Sequence, residues 1–528
     1  MLRLLLLAIP CVSLACAADV GKEGIRWWSH IQVLADDAMQ GRETGSPGHL
    51  KAAQFVAGEF ERAGLKAAGT SGYLQPVKLD ERRLVEEASS LALVRKGKVT
   101  VPLTLGDDAT IGFRSDLAEH VDAPAVFVGY GLVIPENHVD DLAGLDLKGK
   151  IAVYLAGGPS SVPSALRAHY SSRGERWRAL QKAGAIGMAA IPNPKSMDIP
   201  WARSTLARLN PTMTLADEKL LEVRGMQFNI QINPDRAPTI FADSGHSFAE
   251  LLALADADKP LPKFPLNVNF RAQVRLKRAG VESPNVAGLL PGSDPKLKDE
   301  YLVFSAHLDH LGVGQPIKGD AIYNGAMDDG SGVATLIEIA TLLHEEKIKL
   351  KRSVIFLAVT GEEKGELGSL YYASYPTVPK KKIIADINID MFLPLFPLKY
   401  LEVQGLDEST LGEEIRAACK NAGVIVQADK EPDRNLFIRS DQYSFVKEGV
   451  PALAFKFGYE KGSPQEKIAK DWLRERYHAP SDDLNQPVDK TAAAQFDRVL
   501  LDLGERIANA QDRPHWNDRS FFRRFAAD

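Results

Sequence analysis

Cysteine is almost missing from this chain, with three in 528 residues, at Cys11, Cys16 and Cys419. So sparse a set excludes a disulfide-built scaffold. Long apolar runs are missing as well. Beyond the first residues there is no stretch of about 20 apolar residues, so no membrane-spanning helix is expected. Basic charge is not in excess. Lys and Arg number 64 against 69 Asp and Glu, a net charge of −5. That balance argues against a general nucleic-acid or anionic-membrane surface. No internal repeat and no low-complexity tract occurs, which leaves solenoid architectures without support. What remains is ordinary for globular protein: 45% hydrophobic and 25% charged residues. The length suffices for two or three domains, each with its own core.

The first residues read as a signal peptide. Arg3 is the positive end, Leu4 to Leu14 an apolar run too short to span a bilayer, and Ala15-Cys16-Ala17 a small-x-small cleavage site. The expected mature chain starts near Ala18 and is exported, to the periplasm or beyond. Removal of Arg3 takes the net charge from −5 to −6. A lipoprotein anchor at Cys16 fits poorly, because Ser13 stands where a lipobox wants an aliphatic residue. Cys419 would then be the one remaining cysteine. Its helix-like setting, Ile415-Arg-Ala-Ala-Cys-Lys, points to a core position rather than a nucleophile.

Along the chain, residues 22–65 read as helices. Trp27, Trp28, Ile31 and Leu34 recur at helical spacing, as do Ala52, Phe55, Val56 and Phe60, and Gly64 closes the second helix. Strand-like runs follow at 91–94 and 99–103. From Pro284 onward apolar strand runs alternate with amphipathic helices such as Val333 to Leu343. Alternation of this kind implies a mixed, mainly parallel sheet with helices on both faces. The tail from Gln511 to Asp528, rich in Arg and aromatics, is expected to pack on the surface.

Chemistry-bearing residues cluster where apolar runs end. Tyr301-Leu-Val-Phe-Ser-Ala-His307-Leu-Asp309 puts His and Asp two apart, on one side of a strand end. Gly325-Ala-Met-Asp328-Asp329-Gly-Ser-Gly332 follows. Val354-Ile-Phe-Leu-Ala-Val-Thr-Gly-Glu362-Glu363 ends a second run, and Ile383-Ile-Ala-Asp-Ile-Asn-Ile-Asp390 a third. Tyr477-His478-Ala-Pro-Ser-Asp482 closes the set. Ligands lie beyond the carboxyl ends of strands in open α/β sheets, so one crevice could collect these groups. Carboxylate and imidazole are what hard and borderline metals take.

The order of these segments resembles the zinc aminopeptidase family that also contains glutamate carboxypeptidases and glutaminyl cyclases. The resemblance begins at Leu34-Ala-Asp-Asp-Ala-Met-Gln-Gly-Arg42-Glu-Thr-Gly45 and runs over most of the chain. Three further stretches, Ala123 to Leu132, Leu145 to Tyr154 and Ala179 to Ile191, resemble a protease-associated domain, a β-rich insertion in many such peptidases. The implied organisation is a signal peptide over 1–17, peptidase segments over 18–119 and 271–528, and the insertion over 120–270.

By the same resemblance Asp328 bridges two zinc ions. His307 and Asp390 complete one, and Glu363 and His478 the other, leaving each ion an open position. Glu362 is the implied general base, acting on a water shared by the ions. Tyr477 is the implied donor to the developing oxyanion. Asp309 is expected to accept the other N–H of His307. The peptide after Asp328 is expected to be cis. His310 matches no family ligand. In Arg439-Ser440-Asp441-Gln442-Tyr443 the usual His is replaced by Gln442, which puts that segment's substrate contacts in question.

The implied activity is removal of N-terminal residues from peptides with a free amino terminus. Three alternatives stand beside it. A carboxypeptidase or dipeptidase would need basic pocket residues, and no cluster of them can be placed from sequence. Glutaminyl cyclisation uses one zinc, against a ligand set for two. A non-catalytic module would need gaps in that set, and there are none. The apolar segment Met391-Phe-Leu-Pro-Leu-Phe-Pro397 is either a buried loop or a pocket wall.

Overall fold

The computed structural model describes residues 12–95, 99–197, 199–431 and 436–526, with side chains from residue 20 onward. Most of the expected signal peptide lies outside these residues. Among the described residues no helix is long and apolar enough to cross a membrane.

Two helices open the fold. Val12–Leu34 buries Trp27, Ile31 and Leu34 completely, at i, i+4 and i+7. Ser46 caps the second, Pro47–Arg62, by accepting the His49 N–H, and Pro47 sits in its first turn, where no N–H is needed. Gly64 then takes a φ of +72°, which suits a residue without Cβ.

The main sheet is mixed. Its spatial order runs Thr212–Leu215, Leu74–Leu84, Leu276–Leu290, Ser353–Val359, Tyr301–His307, Ile383–Asn388, Ala452–Gly458, Tyr400–Gln404, Ile425–Ala428. The four strands from Ser353–Val359 to Ala452–Gly458 are parallel to one another, and the pairings that flank this block are antiparallel. Both faces of the parallel block are covered, and its strands read as unbroken apolar runs for that reason. Phe304 and Phe356 stack across adjacent strands at 5.7 Å. Helix Gly330–Glu345 lies on one side, longer at both ends than its apolar pattern alone indicates.

A second sheet of eight strands holds Ser90–Arg95, Thr100–Leu103, Ala109–Ile111, His120–Phe127, Ile151–Leu155, Gly187–Ile191, Phe228–Ile232 and Phe264–Gln273. This divides the chain differently from the expected boundaries at 120 and 270. Residues 90–111 belong with the second sheet, because Leu91 pairs with Ala272 and Ile111 with Ile230. Conversely, Thr212–Leu215 returns to pair with Leu74–Leu84 in the main sheet. Pairings of such sequence separation leave no mark in local periodicity. Cys419 sits in helix Leu411–Asn421 and is fully buried, as expected. The tail packs down, with Trp516 donating to the Gly449 carbonyl and Phe522 buried.

Candidate metal centre

Three of the central parallel strands end at the same place. His307 is the last residue of its strand. Glu362 and Glu363 follow the end of Ser353–Val359, and Asp390 lies two residues past Ile383–Asn388. Asp328 arrives from the turn that precedes helix Gly330–Glu345, and its peptide bond to Asp329 is cis. His478 comes from the turn after helix Pro464–Glu475, with φ +53°.

The side chains converge in two groups that share Asp328. His307 Nε2 lies 3.1 Å from Asp328 Oδ1 and 3.6 Å from Asp390 Oδ1. On the other side, His478 Nε2 lies 3.4 Å from Asp328 Oδ2 and 3.2 Å from Glu363 Oε2. One oxygen of Asp328 thus faces each group. His310, which the sequence reading set aside, joins the second group: its Nδ1 is 2.8 Å from Glu363 Oε1 and 3.8 Å from Asp328 Oδ2. Asp328 Oδ2, Glu363 Oε1 and both ring nitrogens of His310 are buried with no hydrogen-bond partner. Buried polar atoms are nearly always satisfied, so a cluster of orphaned donors for metal fits a cation between them.

Second-tier carboxylates hold this arrangement. Asp329 caps helix Gly330–Glu345 through the Gly332 N–H and also accepts the N–H groups of His307 and Met391. One residue thereby ties the His307 strand, the Asp328 turn and the Asp390 segment together. Asp482 accepts the N–H groups of Met327 and Asp328 and the side chain of Gln486. Asp309 departs from expectation. The Nδ1 of His307 bonds to the backbone carbonyl of Asp309 at 3.0 Å. Its carboxylate accepts instead from Thr44 Oγ1 and from the N–H groups of Glu362 and Glu363. Thr44 and the glutamate turn, with three donors between them, hold the carboxylate and leave the carbonyl to the ring. Arg42 is fully buried and donates to the carbonyls of Leu34, Leu308, Asn324 and Gly325.

Residues 285–504 match the description Peptidase family M28. The matched residues carry His307, Asp328, Glu362, Glu363, Asp390 and His478. The chain is 30% identical over 129 residues to carboxypeptidase Q of Xenopus laevis, covering 23% of this chain and 25% of that one. It is 26% identical over 231 residues to leupeptin-inactivating enzyme 1 of Streptomyces exfoliatus, covering 42% and 48%. The matches thus span a quarter to about half the length of these relatives. In structure the chain is similar to an aminopeptidase from Aneurinibacillus sp. strain AM-1. There the TM-score is 0.57 at 20% identity, over 94% of this chain and 97% of that one, a likeness of fold.

Within the matched residues the two glutamates are electrostatically distinct. Burial pushes the Glu362 carboxyl well above the usual range, and the nearby charges of Glu363 and Asp390 push it the same way. Burial acts on Glu363 too, but facing His478 and His310 outweighs it and holds that carboxyl well below the usual range. Burial raises the Tyr477 phenol well above its ordinary value, which keeps it a neutral donor. Glu362 and Tyr477 both line the crevice over His307, Asp328 and Asp390.

Other crevice residues were missed or left open by sequence. Arg439 and Lys456 line it, brought together from a loop and from strand Ala452–Gly458. Arg439 belongs to the segment whose substrate contacts the sequence left in question, whereas Lys456, 17 positions on, carries no local signal. Gln442 is fully buried. It accepts from Asn388 Nδ2 at 2.7 Å and so braces the strand end before Asp390. The Met391 segment is both loop and wall. Phe392 packs into the core on Phe496 at 4.4 Å. Met391, Leu393 and Phe396 line an apolar cavity that shares Tyr477, Arg439 and Lys456 with the crevice.

Proposed function

We propose that this chain is an exported zinc metallo-aminopeptidase with two ions in one site. One observation carries the reading: five separately expected segments meet around Asp328, with Glu363 engaged by imidazoles and Glu362 left facing the crevice. His307 and Asp390 would hold one ion, Glu363 and His478 the other, with Asp328 between. When bound, such ions lower the pKa of water and polarise a carbonyl.

The protein's own groups do the rest. Glu362 takes the proton of the attacking water and delivers it to the leaving amine. A carboxyl lifted by burial above the usual carboxylate range suits both transfers. Tyr477 donates to the carbonyl oxygen as negative charge grows on it. Asp309 fixes the backbone of both glutamates, so base and ligand keep their relative positions. The apolar cavity beside Tyr477 would take a large apolar side chain of the substrate, a burial worth roughly 1.5–3 kcal/mol. The second sheet would be the inserted protease-associated domain.

A second reading has one specific observation behind it. Arg439 and Lys456 supply the basic groups that a carboxypeptidase or dipeptidase needs for a substrate carboxylate. Paired substrates decide between the two. Leucyl peptides with an amidated carboxyl end should be cleaved and N-acetylated ones refused. The reverse pattern makes the enzyme a carboxypeptidase.

A further inference from the structure

The ring of His310 is orphaned inside the site. It is fully buried, and neither nitrogen has a hydrogen-bond partner. Neutral imidazole normally places one donor and one acceptor when buried, so two idle nitrogens are unusual. The Nδ1 lies 2.8 Å from Glu363 Oε1 and 3.8 Å from Asp328 Oδ2. The same nitrogen, Asp328 Oδ2 and Glu363 Oε1 form a compact group able to hold a cation. His478 points at the same two carboxylates from the other side, its ring 5.9 Å from that of His310 at 69°.

The ring is also held in place. The His310 N–H donates to the Arg42 carbonyl, and its residue bridges to Glu43. Gly325, at φ +63°, lies against the ring so closely that a Cβ there would come within 2.5 Å of its Cγ. A glycine at that position lets the backbone turn and the imidazole occupy one space.

We infer that His310 Nδ1 is a protein ligand of the ion held by Asp328, Glu363 and His478. This rests on the dinuclear reading above. The two ions then differ in kind. One has four protein donors, the closed set typical of structural zinc. The other, at His307, Asp328 and Asp390, has three and keeps the open position that chemistry requires. The four-donor ion is the anchor, filled first and released last. The three-donor ion is the exchangeable one.

The test is metal titration and spectroscopy on the full chain, with zinc and with cobalt as the probe. In wild type, chelator dialysis should pass through a stable one-zinc form. X-ray absorption on the two-zinc form should show three imidazoles shared by two ions. The first cobalt equivalent should give the intense visible bands of a four-coordinate site. His310→Ala should weaken the first zinc equivalent more than about 100-fold, beyond the 10–100-fold typical when only a group behind a ligand is lost. His310→Asn serves if the alanine variant does not fold, and the wild-type absorption measurement needs no variant. Two imidazoles in wild type, or a His310 variant that fills both sites with unchanged affinity, overturns the assignment and leaves the dinuclear reading standing. Wild type that binds no zinc overturns both.

Discussion

Glu362 and Glu363 are adjacent and chemically identical, and their surroundings make them different. Glu363 faces His478 and His310, whereas Glu362 faces the crevice beside Asp390. Glu362→Gln should therefore keep bound zinc while kcat falls by about 100- to 10,000-fold, the range for loss of a general base. Glu363→Gln should lose zinc first. Metal analysis beside steady-state kinetics separates the two, and swapped phenotypes would reverse the roles. Asp309 makes a subtler case. Asp309→Asn keeps the volume but turns one carboxylate oxygen into an NH₂, so either the Glu362 N–H or both Thr44 and the Glu363 N–H lose their acceptor. We expect zinc affinity or kcat to drop by about 10–100-fold, as for other groups that orient ligands. His307 should keep its tautomer, because the Asp309 carbonyl holds that N–H.

Among the elements, helix Gly330–Glu345 does the most positioning. Its cap, Asp329, also receives the ends of two neighbouring segments. An ordinary N-cap removal costs about 1 kcal/mol. Asp329→Ala should cost visibly more, because two buried N–H groups are stranded as well. Denaturant unfolding of the apoprotein reads this without interference from metal. A loss of only an ordinary cap's size would show that the His307 and Met391 bonds contribute nothing. The helix periodicity was readable as Val333 to Leu343. Asp329 caps the first turn, Gly330-Ser-Gly332, which lies ahead of that apolar period.

Taken whole, the molecule joins two sheets along a seam close to the Glu362 turn. Lys447 pairs with Glu222 at 2.6 Å, and His169 meets the Tyr443 hydroxyl at 2.7 Å. Glu366 lies in this seam. Burial pushes its carboxyl up to about 8, with Lys447 opposing and the charges of Asp441 and Glu222 adding. Below the ordinary carboxyl pKa both folded and unfolded chains hold the proton. Between there and about 8 the unfolded chain releases it first, so this group lowers stability as pH rises through that window. Glu366→Gln should stabilise the protein progressively from pH 5 toward pH 8 and change little at pH 4. Thermal melts across that range test it, and a gain independent of pH would refute it. Cys419 behaves as core, its thiol pushed up to about 12 by burial. In the native protein it should resist thiol reagents that label it after unfolding.

Sequence alone determined what depends on neighbours along the chain. The parallel strand runs, the two N-terminal helices and the five segments of the candidate site were all legible, because apolar period and residue type are local properties. So was the order of Asp328, Glu363 and His478, through resemblance to a family. Tertiary structure decided what depends on residues far apart. It placed 90–111 in the second sheet through pairings with 228–273. It brought Arg439 and Lys456 into the crevice from separate elements. It turned the Asp309 carboxylate toward the glutamates and the His310 ring toward Asp328. The reason is physical. Period and composition select elements, whereas a buried polar group takes whichever partner the packed fold puts within about 3 Å, and that partner is rarely a sequence neighbour.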